Sequence, residues 1–125
     1  MKEIMMSKKI LIVDDEKEVR ETLSEFFELE GLECIEAENG PSGLQMAKEH
    51  KPDFIITDVR MPGGDGIDLL KDVRKMNPEL PVVLVMTGFA ETTEDEVKKL
   101  GGLDLIPKPL DLNNVLEVVK KHLDI

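Results

Sequence analysis

The stretch KILIVDD (9–15) decides the fold class of this 125-residue chain. The residues ILIV (10–13) form a continuous apolar run, which is typical of a parallel β-strand covered on both faces by helices. The carboxylate pair Asp14-Asp15 follows directly, so two acidic side chains are expected at the carboxyl end of this strand. Short apolar runs of the same kind return at intervals along the rest of the chain.

Each predicted strand is followed by a segment whose apolar residues have helical spacing. The five strands are KILIV (9–13), CIEAE (34–38), DFIITD (53–58), VVLVM (82–86) and LDLI (103–106). The helix boundaries are indicated by Gly31 after the first helix, Pro41 at the start of the second, a Thr93–Glu96 capping box before the fourth and Asp111 before the fifth. Strands and helices that alternate with short connections predict a three-layer (βα)5 α/β fold with a doubly wound parallel sheet.

The length and charge of the chain limit its organisation and its partners. A chain of 125 residues can bury one core, so we expect an N-terminal extension at residues 1–8 and one domain at residues 9–125. Acidic residues number 27 against 16 basic ones, and the net charge of −11 would repel a nucleic-acid backbone. We therefore expect no direct binding to nucleic acid.

The apolar runs and the cysteine content favour a cytoplasmic protein. No run is long enough to span a membrane, and the opening MKEIMMSKK lacks the apolar core of a signal peptide. Cys34 is the only cysteine, which excludes an intramolecular disulfide and a thiol metal cluster, and its surroundings predict a small core residue. We interpret His50 and His122, at predicted helix ends, as solvated surface residues.

Acidic or phosphate-directed residues follow four of the predicted strands. They are Asp14 and Asp15, Asp58, Thr87, and Lys108. A parallel sheet brings the carboxyl ends of its strands to one edge, so these residues could form one pocket. Crowded carboxylates repel each other unless a cation neutralises them, and Mg²⁺ prefers such oxygen ligands. A lysine beside them indicates that a phosphate or another anion arrives there.

Several short motifs in this chain match one known family. They are ILIVDDE (10–16), Asp58 followed by MP-x-x-DG (61–66), MTG (86–88) and Lys108-Pro109. From Lys9 to Leu123 the chain resembles the receiver domain of bacterial two-component response regulators, in the CheY-like superfamily. The resemblance implies a flavodoxin-like strand order 2-1-3-4-5 and a cis peptide bond between Lys108 and Pro109.

The resemblance also implies a phosphoryl-accepting site that depends on Mg²⁺. Asp58 would take a phosphoryl group from a phosphohistidine on a sensor histidine kinase or a histidine phosphotransfer protein. Asp15, Asp58 and the backbone carbonyl of Arg60 would bind Mg²⁺, while Asp14 would act mainly through a bound water. Such a domain catalyses only its own phosphorylation and dephosphorylation. We therefore do not expect it to be an enzyme that turns over a separate substrate.

A switch follows from the same resemblance. Lys108 would pair with the phosphoryl oxygens and Thr87 would hydrogen-bond one of them, while Arg60 and Phe89 would flank the site and tune hydrolysis. The movement would alter the surface of the fourth helix, fifth strand and fifth helix. A downstream target or an output domain would read that surface, and the chain would be a monomer or a phosphorylation-dependent homodimer.

Three positions depart from the family pattern. Leu105 stands where the family has Tyr or Phe, which leaves open the alternative of a degenerate receiver acting as a non-phosphorylated interaction module. The interval from Thr87 to Lys108 is one residue short, which predicts a shortened or shifted fourth helix. Gly64 replaces an apolar residue, which predicts a looser loop after Asp58.

Other function classes lack a required residue pattern. A haloacid-dehalogenase-like phosphohydrolase needs a second Asp two residues after its nucleophile, where this chain has Arg60. A flavodoxin-like electron carrier needs phosphate donors in the first loop, which here reads DDEKE (14–18). The P-loop motif of nucleotide switches is absent.

Overall fold

The computed structural model of the protein describes residues 8–88 and 92–125. Along these residues, five strands alternate with five helices. The strands are β1 (Lys9–Val13), β2 (Glu33–Ala37), β3 (Phe54–Asp58), β4 (Val82–Thr87) and β5 (Asp104–Pro107). The helices are α1 (Lys17–Leu29), α2 (Gly40–His50), α3 (Gly66–Met76), α4 (Glu94–Lys99) and α5 (Leu112–Leu123).

The strands form one parallel sheet in the order β2-β1-β3-β4-β5. This confirms the predicted α/β class and the strand order implied by the resemblance. Because β1 lies between β2 and β3, the chain winds outward from β1 in both directions. The carboxyl edge beside β1 is therefore the place where a crevice opens in a sheet of this type.

Two apolar cores lie on opposite faces of the sheet. Ile10 and Ile12 of β1 pack with α1 and α5, and this cluster is called the α1–α5 core. Leu11 and Val13 pack with α2, α3 and α4, and this cluster is called the α2–α4 core. All four side chains are fully buried. A strand that buries both of its faces needs apolar residues at every position, which explains the continuous run in β1.

The predicted helix starts are made by side-chain caps. Asn39, Asp65 and Asp111 each accept a backbone N–H from the first turn of α2, α3 and α5, respectively. Thr93 and Glu96 form the reciprocal capping box expected before α4. These caps satisfy N–H groups that have no partner within the helix, so they help to set where each helix begins.

Several strand boundaries differ from the prediction by single residues. β2 begins at Glu33 and ends at Ala37, and β5 lies one residue later than predicted. Asp53 was predicted as the first residue of the third strand, but it precedes β3. Its carboxylate accepts the backbone N–H of Lys9 at 2.9 Å, so a side chain takes the place of a strand carbonyl there.

The fourth helix and the Lys108-Pro109 bond agree with the sequence-based expectations. α4 has only six residues, which confirms the prediction of a short helix. The Lys108-Pro109 peptide bond is cis, and so is Leu80-Pro81, which was not predicted. The predicted N-terminal extension (1–8) lies outside the described residues except for residue 8.

The cysteine and the histidines have surroundings consistent with structural roles. Cys34 is half-buried, packs against the α1–α5 core and donates its thiol to the carbonyl of Ser24 at 3.6 Å. Burial, with added repulsion from nearby glutamates, raises the pKa of this thiol to about 12. His50 and His122 are exposed, as predicted. Among the described residues, no helix has the length and apolar character of a membrane span.

Candidate functional site

The predicted site residues lie together at the carboxyl edge of the sheet. Asp14 directly follows β1, Asp58 ends β3, Thr87 ends β4 and Lys108 directly follows β5. Adjacent parallel pairing of β1 with β3 brings their acidic residues side by side. One carboxylate oxygen from each of Asp14, Asp15 and Asp58 lies within 4.8 Å of the others.

The three carboxylates differ in their access to solvent. Asp14 is completely buried, Asp58 is 6% exposed and Asp15 is exposed. Asp15 and Asp58 line an open pocket of about 690 Å³, together with Arg60 and Lys108. A ligand that enters this pocket therefore meets Asp15 and Asp58, whereas Asp14 lies beneath them.

Lys108 joins the two buried carboxylates. Its Nζ donates to Asp14 Oδ2 at 2.9 Å and to Asp58 Oδ2 at 3.0 Å, and it lies 3.6 Å from Glu16 Oε1. The backbone N–H of Lys108 donates to the carbonyl of Thr87 at 2.9 Å. The end of β4 therefore holds the backbone from which this ammonium group extends.

The charges of Asp58 and Lys108 depend on each other. Burial raises the pKa of Asp58, the nearby Asp14 charge adds to the rise, and the Lys108 hydrogen bond and charge oppose it. Burial alone would lower the pKa of Lys108, but its hydrogen bonds to Asp14 and Asp58 and their charges raise it well above the ordinary value. Lys108 is thus a firmly protonated cation between two acidic groups.

The acidic cluster fits a hard divalent cation. Its oxygens are close enough to share one ion, and the exposed Asp15 and the open pocket leave room for the water ligands that Mg²⁺ retains. Both oxygens of Asp14 already accept hydrogen bonds, from the Glu16 N–H at 2.9 Å and from Lys108. Asp15 and Asp58 line the open pocket whereas Asp14 is fully buried, so Asp15 and Asp58 are better placed than Asp14 for direct coordination.

The turn after β3 is closely packed around Asp58. The N–H of Val59 donates to Asp58 Oδ1 at 2.8 Å, and the N–H of Gly66 donates to the carbonyl of Val59 at 2.9 Å. A Cβ on Gly66 would overlap the backbone carbonyl oxygen of Asp58. The absence of a side chain at Gly66 therefore lets α3 begin directly against the end of β3.

Gly64 does not loosen the loop that follows Asp58, contrary to the prediction. Its φ of +147° lies outside the ordinary range for other residues, and a Cβ there would be 2.5 Å from Pro41 Cδ. Its carbonyl accepts the N–H of Gly40 at 3.0 Å. The glycine permits close contact between this loop and the start of α2, so the loop is anchored.

The residues near Thr87, to which the resemblance assigns the switch, are packed less closely than the turn around Asp58. Leu105 is half-buried, pairs with Val85 and packs against the α2–α4 core. Apart from its chain neighbours, no atom of the described residues lies within 4 Å of where a Cβ on Gly88 would stand. Phe89, which the resemblance placed beside the site, lies outside the described residues.

Sequence reasoning missed two charged residues that contact the site. Glu16 lines the pocket and lies 3.6 Å from Lys108, and Arg20 donates to the backbone carbonyl of Asp14 at 2.7 Å. Glu16 carries a sequence signal, because it extends the acidic pair to DDE (14–16). Arg20 carries none that distinguishes it from a solvated residue on α1.

A family model for the response regulator receiver domain matches residues 10–120. The chain belongs to this family. The matched range includes all the strand-end residues discussed above. The resemblance inferred from the sequence motifs is thereby confirmed.

Individual relatives of this receiver domain agree with the family match. The sporulation initiation phosphotransferase F of Bacillus subtilis is 38% identical over 120 residues, 95% of this chain and 96% of that protein. The regulatory protein AtoC of Escherichia coli is 41% identical over 118 residues, 94% of this chain but 25% of AtoC. The chain thus spans nearly all of one relative and about a quarter of the other.

A solved relative shows the same fold. The structure is the CheX-CheY-BeF3-Mg²⁺ complex from Borrelia burgdorferi, and the matched chain has a TM-score of 0.84 and 28% identity. The alignment covers 91% of this chain and 87% of that one. The receiver domain is therefore similar to proteins of the phosphorelay class in both sequence and structure.

Proposed function

We propose that this receiver domain accepts a phosphoryl group on Asp58 from a phosphohistidine. The donor would be a sensor histidine kinase or a histidine phosphotransfer protein, the partner classes of receiver domains. The observation that carries the proposal is the nearly buried Asp58 carboxylate, which lies 3.0 Å from Lys108 beside two further acidic groups. The domain would promote only its own phosphorylation and dephosphorylation and would not turn over a separate substrate.

The hydrogen bonds of Asp58 support a role as the nucleophile. Val59 N–H binds Oδ1 and Lys108 binds Oδ2, so the carboxylate has a fixed orientation. In the transfer, an Asp58 oxygen forms a bond to phosphorus as the phosphorus–nitrogen bond breaks; the histidine, protonated on its other ring nitrogen, takes the bonding electron pair and leaves as neutral imidazole. Phosphoryl transfer depends mainly on such alignment and on neutralisation of charge. Lys108 would supply a positive charge to the phosphoryl oxygens, and Thr87 would hydrogen-bond one of them.

Magnesium would be held at the exposed part of the acidic cluster. Asp15, Asp58 and the backbone carbonyl of Arg60 would be its ligands, while Asp14 would act through water because it is fully buried and does not line the pocket. The bound ion would neutralise carboxylate and phosphoryl charge. The CheY relative from Borrelia burgdorferi contains Mg²⁺ and BeF3 in its complex with CheX, which supports this assignment.

The output would pass through Thr87 to the α4–β5–α5 surface. Thr87 ends β4 and its carbonyl accepts the N–H of Lys108, so movement at Thr87 affects both strands that border this surface. A downstream protein or an output domain would bind there, and phosphorylation could bring two copies together. We expect this to take place in the cytoplasm, where such kinases deliver their phosphoryl groups.

Intact-mass measurement after incubation with acetyl phosphate and Mg²⁺ tests the proposal. The wild-type chain should gain one phosphoryl group, and Asp58→Asn should gain none. Asp72→Asn is a matched control, because Asp72 is an acidic residue on α3 whose 3.8 Å ion pair is with Lys75, away from the site. It should be labelled like wild type. A wild-type chain without the added mass, or equal labelling of Asp58→Asn, would overturn the proposal and favour a degenerate receiver.

A further inference from the structure

Arg20 connects three parts of the chain beside the acidic cluster. It lies on α1 with 14% of its side chain exposed. Its Nη1 donates to the backbone carbonyl of Asp14 at 2.7 Å, and its Nε donates to Glu36 Oε1 on β2 at 3.3 Å. One guanidinium therefore joins the loop after β1 to the neighbouring strand.

Glu36 is itself held from the other side. Its second oxygen accepts the hydroxyl of the buried Ser24 at 2.8 Å. Since Ser24 and Arg20 lie four positions apart on α1, the carboxylate is fixed by two groups of one helix face. Glu36 can therefore orient the guanidinium, whose planar fork suits simultaneous contacts.

The backbone of Asp14 is restrained at both of its polar groups. Its N–H donates to the carbonyl of Ala37 at 3.1 Å, and its carbonyl accepts from Arg20. The carbonyl of Asp14 and the N–H of Asp15 belong to the same planar peptide unit. A bond that fixes this carbonyl therefore also fixes the direction in which the backbone enters Asp15.

From these contacts we infer that Arg20 is a positioning residue for the cation site, acting through the Asp14-Asp15 peptide. This inference rests on the proposed function, because it gives Arg20 a role toward the Mg²⁺ that Asp15 would bind. Arg20 does not line the 690 Å³ pocket, so its effect on the ion passes through the backbone. Partners that orient metal-binding groups commonly affect affinity strongly.

The sign of the effect separates positioning from simple electrostatics. Arg20 is a cation bonded to the backbone of Asp14 in the acidic cluster, so removing its charge without moving the backbone would strengthen Mg²⁺ binding. Loss of positioning would weaken binding instead. Arg20→Gln should weaken Mg²⁺ binding about 10-fold, and Arg20→Lys, which keeps the charge and one donor, should recover part of the loss.

Lys17→Gln is the matched control for charge. Lys17 lies on the same helix, its side chain is 76% exposed, and its ion pair is with Glu21 at 3.8 Å. This variant removes the same charge without touching the Asp14 carbonyl. It should bind Mg²⁺ at least as tightly as wild type.

The experiment is a Mg²⁺ titration followed by backbone amide chemical shifts, combined with amide hydrogen exchange of the metal-free proteins. In Arg20→Gln, the Asp14 and Asp15 amides should exchange faster than in wild type or Lys17→Gln, even without metal. The positioning role is overturned if Arg20→Gln and Arg20→Lys both bind Mg²⁺ as tightly as Lys17→Gln, or if these amides exchange at unchanged rates.

The result for the wild-type protein distinguishes failure of the positioning role from failure of the proposed function. If wild type binds Mg²⁺ and is phosphorylated on Asp58 while Arg20→Gln behaves like Lys17→Gln, only the positioning role fails. If wild type neither binds Mg²⁺ nor gains the phosphoryl group, the proposed function fails and the positioning role with it.

Discussion

Gly66, which follows β3, and Gly88, which follows β4, have very different surroundings. A side chain on Gly66 would overlap the backbone of Asp58, whereas a Cβ on Gly88 would have no atom of the described residues within 4 Å apart from its chain neighbours. The segments around the two glycines differ in packing as well. We use "capture half" for β1, β3 and the loops that follow them, which contain Asp14, Asp15 and Asp58, and "relay half" for the end of β4, α4 and β5.

The strands of the two halves differ in burial as well. Every residue of β3 is buried, and so is every residue of β1 after Lys9. In the relay half the end of β4 is buried too, but no residue of β5 is. The relay half also contains the shortest helix, α4, among the five that the structure describes. Tight packing keeps reacting groups aligned, while segments with fewer buried contacts rearrange at lower cost. Under the proposed function, the tightly packed capture half would hold the reacting groups in place and the less buried β5 and short α4 would rearrange in response.

Glycine substitutions should show the largest contrast between the halves. Gly66→Ala forces a methyl group against the Asp58 backbone, so it should lower the free energy of unfolding by about 3 kcal/mol or more. Gly88→Ala should change it by no more than about 0.5 kcal/mol. Urea denaturation followed by far-UV circular dichroism measures both. Equal losses at the two positions would contradict the contrast.

A pair of leucines extends the comparison to the core. Leu11 of β1 and Leu105 of β5 pack against the same α2–α4 core, but Leu11 is fully buried and Leu105 is half-buried. Leu11→Ala should cost about 3 kcal/mol, and Leu105→Ala about 1 kcal/mol because less area leaves water. Thermal and urea unfolding give the two values. A larger loss at Leu105 would show that the relay half is packed as firmly as the capture half.

The pH dependence of stability should show that ionisation of Asp58 lowers the free energy of unfolding. Its pKa is raised above the ordinary value of 3.8, chiefly by burial. The folded state therefore binds a proton more readily than the unfolded state, and stability falls as pH rises from 3.8 through the raised pKa. Without divalent cations, Asp58→Asn should be more stable than wild type at neutral pH.

The pH profile of the difference provides the control. The advantage of Asp58→Asn over wild type should shrink as the pH falls toward 3.8, because Asp58 is then protonated and uncharged. An advantage that stays constant over this range, or a variant less stable than wild type at neutral pH, would contradict the assigned cost.

The strand-end residues could be predicted from the sequence because topology places them. Each apolar run shows where a strand ends, so Asp14, Asp58, Thr87 and Lys108 could be assigned to one edge of the sheet without coordinates. Strand boundaries were predicted with errors of one residue, as at Asp53, because a side chain can accept a hydrogen bond in place of a strand carbonyl. Such a side-chain hydrogen bond leaves no periodic pattern in the sequence.

The surrounding contacts could not be predicted in the same way. Arg20 is one of many charged residues on α1, and only the three-dimensional path of its side chain shows that it reaches the Asp14 carbonyl. Gly64 was misread because a glycine in a sequence indicates either freedom or close contact. Its φ and its distance to Pro41 show that here it is close contact.

The most direct test is an amide NMR comparison of the wild-type domain before and after addition of Mg²⁺ and BeF3, a stable mimic of the phosphoryl group. We expect shifts at Val59 in the capture half and also at Gly88, Val97 and Leu105 in the relay half. Asp58→Asn should show none of the BeF3-dependent shifts. Shifts confined to the capture half, or identical shifts in Asp58→Asn, would contradict the claim that a group captured at Asp58 is relayed through β4 to β5.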